Sequence, residues 1–150
     1  MSLLQISDLH LTAAARDVYR WRLFPWLAEV IPQHKVDTLL VLGDLTEAKN
    51  YHSAQLVNSI VEGLCRLHQE SHVKVVILPG NHDSIDPECP YFRFLGRFPF
   101  IQYFNVPTLT PFGGRDKVLF LPHTREPEKW GNDFLSEAEV IFMHQTFSGA

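Results

Sequence analysis

Leu78-Pro-Gly-Asn-His-Asp83 is the stretch that decides how this chain folds. An apolar run, Val73 to Leu78, passes directly into a glycine turn carrying an amide, an imidazole and a carboxylate. Two earlier stretches repeat the arrangement, Leu4-Gln-Ile-Ser-Asp-Leu-His10 and Leu39-Leu-Val-Leu-Gly-Asp44, and Val140-Ile-Phe-Met-His144 repeats it once more. Four strands thus present oxygen or nitrogen donors at their carboxyl ends, which is where open α/β sheets place their sites. The pattern predicts a metal centre.

The remainder of the chain is read around these four strands. Its 150 residues, 45% hydrophobic and 20% charged, suit one globular domain with a core of its own. A net charge of −4 supplies no overall basic field for nucleic acid, although a local patch stays compatible with it. Cys65 and Cys89 lie far apart without CxxC spacing, which predicts two free thiols and a reducing, cytoplasmic setting. The first strand begins within a few residues of Met1, leaving no room for a signal peptide, and no apolar run reaches the length of a membrane span.

Between the strands, Thr12 to Leu23 has no clean period and predicts a loop or irregular helix over the site, with Arg16, Arg20 and Arg22 on it. Pro25 suits a helix first turn, with Leu27, Val30 and Ile31 on one face before Pro32. Val36 to Leu42 reads as a strand covered on both faces. Ser53 can cap a long helix whose Leu56, Val57, Ile60, Val61, Leu64 and Leu67 recur at three and four residues. This strand, helix, strand alternation predicts parallel pairing. The aromatic stretch from Pro87 to Phe104 reads as core or a subunit contact, so a homo-oligomer stays open. Thr108 to Phe112 and Lys117 to Leu121 flank Gly113-Gly114 as a hairpin, and Thr124 to Glu137 is a charged loop with at most one helical turn.

On an extended segment Asp8 and His10 leave on the same side and can grip one ion. Gly43 permits a tight turn that leaves Asp44 with two free oxygens, suited to bridging two cations. Asn81 adds a neutral carbonyl oxygen, an uncommon ligand. Carboxylate, imidazole and amide make a moderately hard donor set that suits Mn²⁺, Fe or Mg²⁺ and admits Zn²⁺; the lack of thiolates argues against a structural zinc cage.

The series Ser7-Asp-Leu-His10, Gly43-Asp44, Gly80-Asn-His-Asp83 and His144 resembles the calcineurin-like metallophosphoesterase superfamily over nearly the whole chain. That resemblance implies an α/β fold, a sandwich of two mixed sheets flanked by helices, holding two divalent ions, most readily Mn²⁺. By it Asp8 and His10 bind the first ion, Asp44 bridges, and Asn81 with His144 bind the second. The implied reaction is hydrolysis of a phosphodiester or phosphomonoester by a metal-bridging hydroxide. His82 and Asp83 are the catalytic candidates, His82 beside the leaving group and Asp83 orienting its neighbours. Arg16, Arg20 and His123 are candidate substrate contacts, set against the plainer reading of the arginines as a solvated loop face.

Two departures qualify the match. Family members carry a further Gly-His-x-His segment, absent before the final Phe147-Ser-Gly-Ala150; the expectation is therefore that residues 1–150 are a domain incomplete at its C-terminus. The middle motif, Gly43-Asp-Leu-Thr-Glu-Ala-Lys49, and Asp83 in the third depart from the protein phosphatases. Both lie nearer the bacterial-type phosphodiesterases and the nucleases resembling Mre11 and SbcD, which puts a phosphate ester, nucleic acid included, forward as substrate. A non-catalytic metal- or partner-binding module is the competing reading.

Overall fold

Alternation along two buried strands builds the molecule in layers. The computed structural model describes residues 1–86, 88–130 and 132–145. Strands β1 (Leu3–Ile6), β2 (Thr38–Leu42), β3 (Lys74–Leu78) and β4 (Ile101–Tyr103) form one sheet in that order, parallel throughout. Helices α1 (Leu23–Gln33) and α2 (Ala54–Ser71) connect its first three strands. Side chains one apart on a strand leave opposite faces. Leu39, Val41, Val75 and Ile77 accordingly meet α1 and α2 in the larger core, alongside Leu27, Ile31, Ile60 and Leu64. Leu40, Leu42, Val76 and Leu78 pack the other way, against Val118 and Phe120. Both faces of β2 are covered, which is why it reads as an unbroken apolar run.

The second sheet contains β5 (Thr108–Phe112), β6 (Arg115–Leu121) and β7 (Val140–Met143). Its β5–β6 hairpin turns at Gly113 and Gly114, both with positive φ, and β6 pairs with β7 in parallel. Phe104, just past β4, stacks on Phe120 at 4.3 Å and joins the two sheets. A short helix, α3 (Asn132–Glu137), lies against β6. The α/β sandwich with outer helices is the expected one. The segment after β1 is an irregular helix, one of the two forms expected of it, and is 3₁₀ over Ala15–Arg22. Three details differ from expectation. Thr124 to Glu137 holds more than one helical turn, with helical residues at Pro127–Trp130 and in α3. The aromatic stretch supplies a second 3₁₀ helix, Tyr91–Arg97, which buries Phe92 and Leu95, and the short strand β4, which was not foreseen. Helix α1 also runs through Pro32. The Ser53 cap forms as expected, its Oγ accepting from Leu56 N–H at 3.1 Å.

Among the described residues no helix is long and apolar enough to cross a membrane.

Candidate metal centre

Parallel strands put their carboxyl ends on one side, and the loops leaving them continue the pairing a few residues further. Asp8 N–H donates to Gly43 O (3.2 Å), His10 N–H to Asp44 O (2.9 Å) and Leu11 N–H to Leu45 O (3.1 Å). The first two loops are thereby stitched together beyond the sheet. Asp8, His10 and Asp44 adopt left-handed backbone, with φ of 55°, 45° and 54°. Non-glycine residues carry strain there, and such residues cluster at functional sites.

Asp44 is the hub. It is 3% exposed; its Oδ1 accepts from His82 N–H at 2.8 Å. Its Oδ2 lies 3.6 Å from His10 Nε2 on one side and 3.5 Å from His144 Nε2 on the other. Asp8 Oδ1 is 4.0 Å from His10 Nε2. Donor atoms of Asp8, His10 and Asp44 all fall within 4.8 Å of one another, close enough to share a cation. On the far side, His144 Nε2 meets Asn81 Oδ1 at 3.2 Å, while its Nδ1–H donates to Leu42 O at 2.8 Å. That backbone contact fixes the tautomer in which Nε2 can offer a lone pair.

The titration of the hub pair follows from this geometry. Burial pushes the Asp44 carboxyl up, but the His144 contact and the His82 N–H outweigh it and hold it below the usual carboxylate range. The same carboxylate raises His144 to about 9 against the opposing effect of burial. An Nε2 proton therefore holds the carboxylate and amide oxygens together where a cation would; donor set and spacing both fit a divalent ion.

Asp83 does not face this pocket. It is 2% exposed, and its two oxygens accept from Leu45 N–H (2.9 Å) and Gly80 N–H (2.7 Å), tying the second loop to the third. Burial raises its carboxyl above the ordinary value. His82 stands at the mouth, its ring edge-on to His10 at 4.9 Å and its Nδ1 on Glu47 O at 2.9 Å. His123, after β6, lies 6.4 Å from the His144 ring; burial and His144 both lower its pKa.

The arginines divide. Arg20 reaches the rim, donating to His10 O, with Nη1 4.0 Å from Glu47 Oε2. Arg16 is not brought to the pocket: its side chain is 89% exposed and sits 3.8 Å from its neighbour Asp17, because the 3₁₀ helix turns that position outward. Glu47 is the residue that sequence reasoning missed. Its Oε2 lies 3.0 Å from His10 Nδ1, and with His10 and His82 it forms a second group able to hold a cation. A carboxylate three residues after Asp44 in the same loop was the available signal.

A family model of calcineurin-like phosphoesterases matches residues 1–149. The chain belongs to that family. It is 32% identical over 91 residues to the SbcD component of the SbcCD nuclease of Escherichia coli (strain K12), and equally to its counterpart in strain O157:H7, matches that cover 57% of this chain and 22% of each relative. It therefore spans about a fifth of the length of the curated relatives it matches. The Pseudomonas putida nuclease MPE shares the fold, with a TM-score of 0.53 and 21% identity over 83% of this chain and 55% of that one.

Proposed function

We propose that this chain carries the dinuclear centre of a metal-dependent phosphoric ester hydrolase acting on phosphodiesters, nucleic acid foremost, with Mn²⁺ as the preferred ion. The carrying observation is the position of Asp44 Oδ2, equidistant to within 0.1 Å from imidazoles on the two sheets, 3.6 Å and 3.5 Å away. A carboxylate so placed is shared between two donor sets, Asp8 with His10 and Asn81 with His144. The SbcD and MPE likenesses support a nuclease within this class.

Divalent ions bound there would supply Lewis-acid stabilisation of the phosphoryl oxygens and a water acidic enough to attack phosphorus near neutral pH, with no covalent enzyme intermediate. His82 keeps its Nδ1 on the Glu47 carbonyl, leaving Nε2 to face the leaving oxygen. His82 is the group placed to hand that oxygen a proton as the P–O bond breaks, a contribution of roughly 10²–10⁴-fold for a well-placed acid. Asp83 positions the loops from behind. Two unpaired cysteines accord with a cytoplasmic setting.

The test is metal content and turnover together. Purified protein is expected to hold about two Mn²⁺ per chain and to cleave bis(p-nitrophenyl) phosphate, with single- and double-stranded DNA as competing substrates. Asp44→Asn is expected to lose both properties while remaining folded. Turnover retained in that variant would refute the assignment.

A further inference from the structure

Two cavities open beside the metal centre, and they share Glu88, His123, Thr124 and Lys129. The first, of about 350 Å³, includes Asn81 in its wall and so adjoins the candidate ligands directly. The second, of about 450 Å³, sets Val106, Pro107 and Pro122 beside the charged Glu88, Arg93 and Lys129. His123 lines both. Its backbone N–H is tied to Pro79 O at 3.1 Å, so it stands behind the loop that carries Asn81 and His82. Its Nδ1 is buried and has no hydrogen-bond partner among the described residues, which for a buried polar atom calls for a ligand or water. Gln145 repeats the condition: its amide nitrogen donates to Thr124 O at 3.2 Å, whereas its Oε1 is buried with no partner among the described residues. Thr124 lines both cavities as well.

The charges around the first cavity decide what chemistry enters. Lys49, Arg125 and Lys129 face Asp86, Glu88 and Glu126, and Lys129 is already paired with Glu126 at 2.9 Å. With no excess of positive charge, this is not a channel for a run of phosphates, which needs a basic groove. A polar, balanced vestibule leading to a slot whose apolar wall, Val106, Pro107 and Pro122, stands among polar side chains suits a group with a hydroxylated part and a flat ring that carries hydrogen-bonding edges, and the volumes lie in the range of about 300–1,000 Å³ typical of small-ligand sites.

The geometry points to a nucleoside subsite: a phosphodiester placed at the metal centre lays one flanking ribose in the vestibule and its base in the slot, with His123 Nδ1 hydrogen-bonding the nucleoside between them. This rests on the phosphodiesterase reading above and adds to it the identity of the group on one side of the scissile phosphate. Thymidine 5′-(p-nitrophenyl phosphate) and bis(p-nitrophenyl) phosphate share a leaving group and differ only in the nucleoside. The wild type is expected to favour the first in kcat/KM by at least about tenfold, the equivalent of one or two retained hydrogen bonds. Val106→Phe places a ring in the slot at a position 55% exposed, where folding is little affected. It and His123→Ala should each collapse the ratio towards one while Mn²⁺ content stays unchanged. A wild-type ratio near one, or a ratio that both variants preserve, overturns the subsite. If neither ester is cleaved, the hydrolase reading fails and the subsite is judged by binding alone. Line broadening of thymidine and adenosine 5′-monophosphate resonances by wild type and not by Val106→Phe supports it; no broadening, or equal broadening, overturns it.

Discussion

Replacing Asp83 by Asn changes one atom and should separate the centre's scaffold from its ligands. The carboxylate accepts two backbone N–H groups, Leu45 at 2.9 Å and Gly80 at 2.7 Å, at a site 2% exposed. An amide accepts through its oxygen only and turns an NH₂ towards the other donor, leaving one buried N–H without a partner. That costs about 1–3 kcal/mol, and for a domain of this size roughly 2–4 °C of Tm per kcal/mol. Asp83→Ala removes both acceptors and should cost about 2–6 kcal/mol. Because Leu45 follows Asp44 and Gly80 precedes Asn81, either change should also loosen the ligand loops and weaken Mn²⁺ binding about 10–100-fold. The pH dependence has a definite sign. Burial raises the native Asp83 pKa above the ordinary 3.8, so its stabilisation is fully present below that ordinary value and is lost as pH rises through the native one. A protonated carboxyl still accepts at both oxygens, so the gap between wild type and Asn should widen on acidification. Urea unfolding of the metal-free proteins at several pH values, with a parallel Mn²⁺ titration, measures all of this. An Asn variant as stable as wild type, with an Ala variant no worse, would refute the reasoning.

Three further outcomes are expected. A Cβ at Gly80 would run into the Asp44 carboxylate and come within 2.6 Å of its amide nitrogen, so Gly80→Ala should destabilise by about 1–3 kcal/mol and weaken metal binding. Gly114→Ala meets nothing within 4 Å and tests left-handed backbone strain alone; differential scanning calorimetry on the pair separates crowding from strain. Proton release on metal binding is the second: His144, raised to about 9 by Asp44, must shed its Nε2 proton to become a ligand. Mn²⁺ affinity at that half should rise by about tenfold per pH unit up to about pH 9 and then flatten, with roughly one proton released per ion, read by calorimetry in buffers of different ionisation enthalpy. In the metal-free protein the His144 contribution to stability has the reverse course, being present below about pH 6.5 and lost as pH rises through about 9. Third, Glu47→Gln weakens the hold on His10 Nδ1, 3.0 Å away, but keeps the backbone carbonyl that orients His82. Mn²⁺ affinity should fall about 10–100-fold, while kcat at saturating metal is retained, as metal titration of turnover will read.

The strands and their terminal donors were legible because one physical requirement wrote both. A buried parallel strand needs an apolar run, and a loop returning across its end needs glycine or a short polar residue, so Leu39 to Asp44 and Lys74 to Asp83 announce themselves. What escaped depends on three-dimensional placement. Strand β4 has three residues, too few for any periodicity, and sits in an aromatic run whose rings pack as core on their own account. Glu47 enters the centre because the second loop folds back across His10; its place three residues after Asp44 put a carboxylate in that loop without recording which way the loop turns. Arg16 and Arg20 look equivalent in sequence; four residues apart on a 3₁₀ helix they diverge, one to solvent and one to the His10 carbonyl.

Left-handed backbone at three donor residues sets thermal robustness against ion capture. Asp8, His10 and Asp44 each hold a conformation that costs an L-residue about 1–2 kcal/mol, and glycine at any of them would relieve it while deleting a donor. Selection of variants for melting temperature alone would drift these loops towards glycine, yielding a hardier domain stripped of the donors that the proposed centre needs.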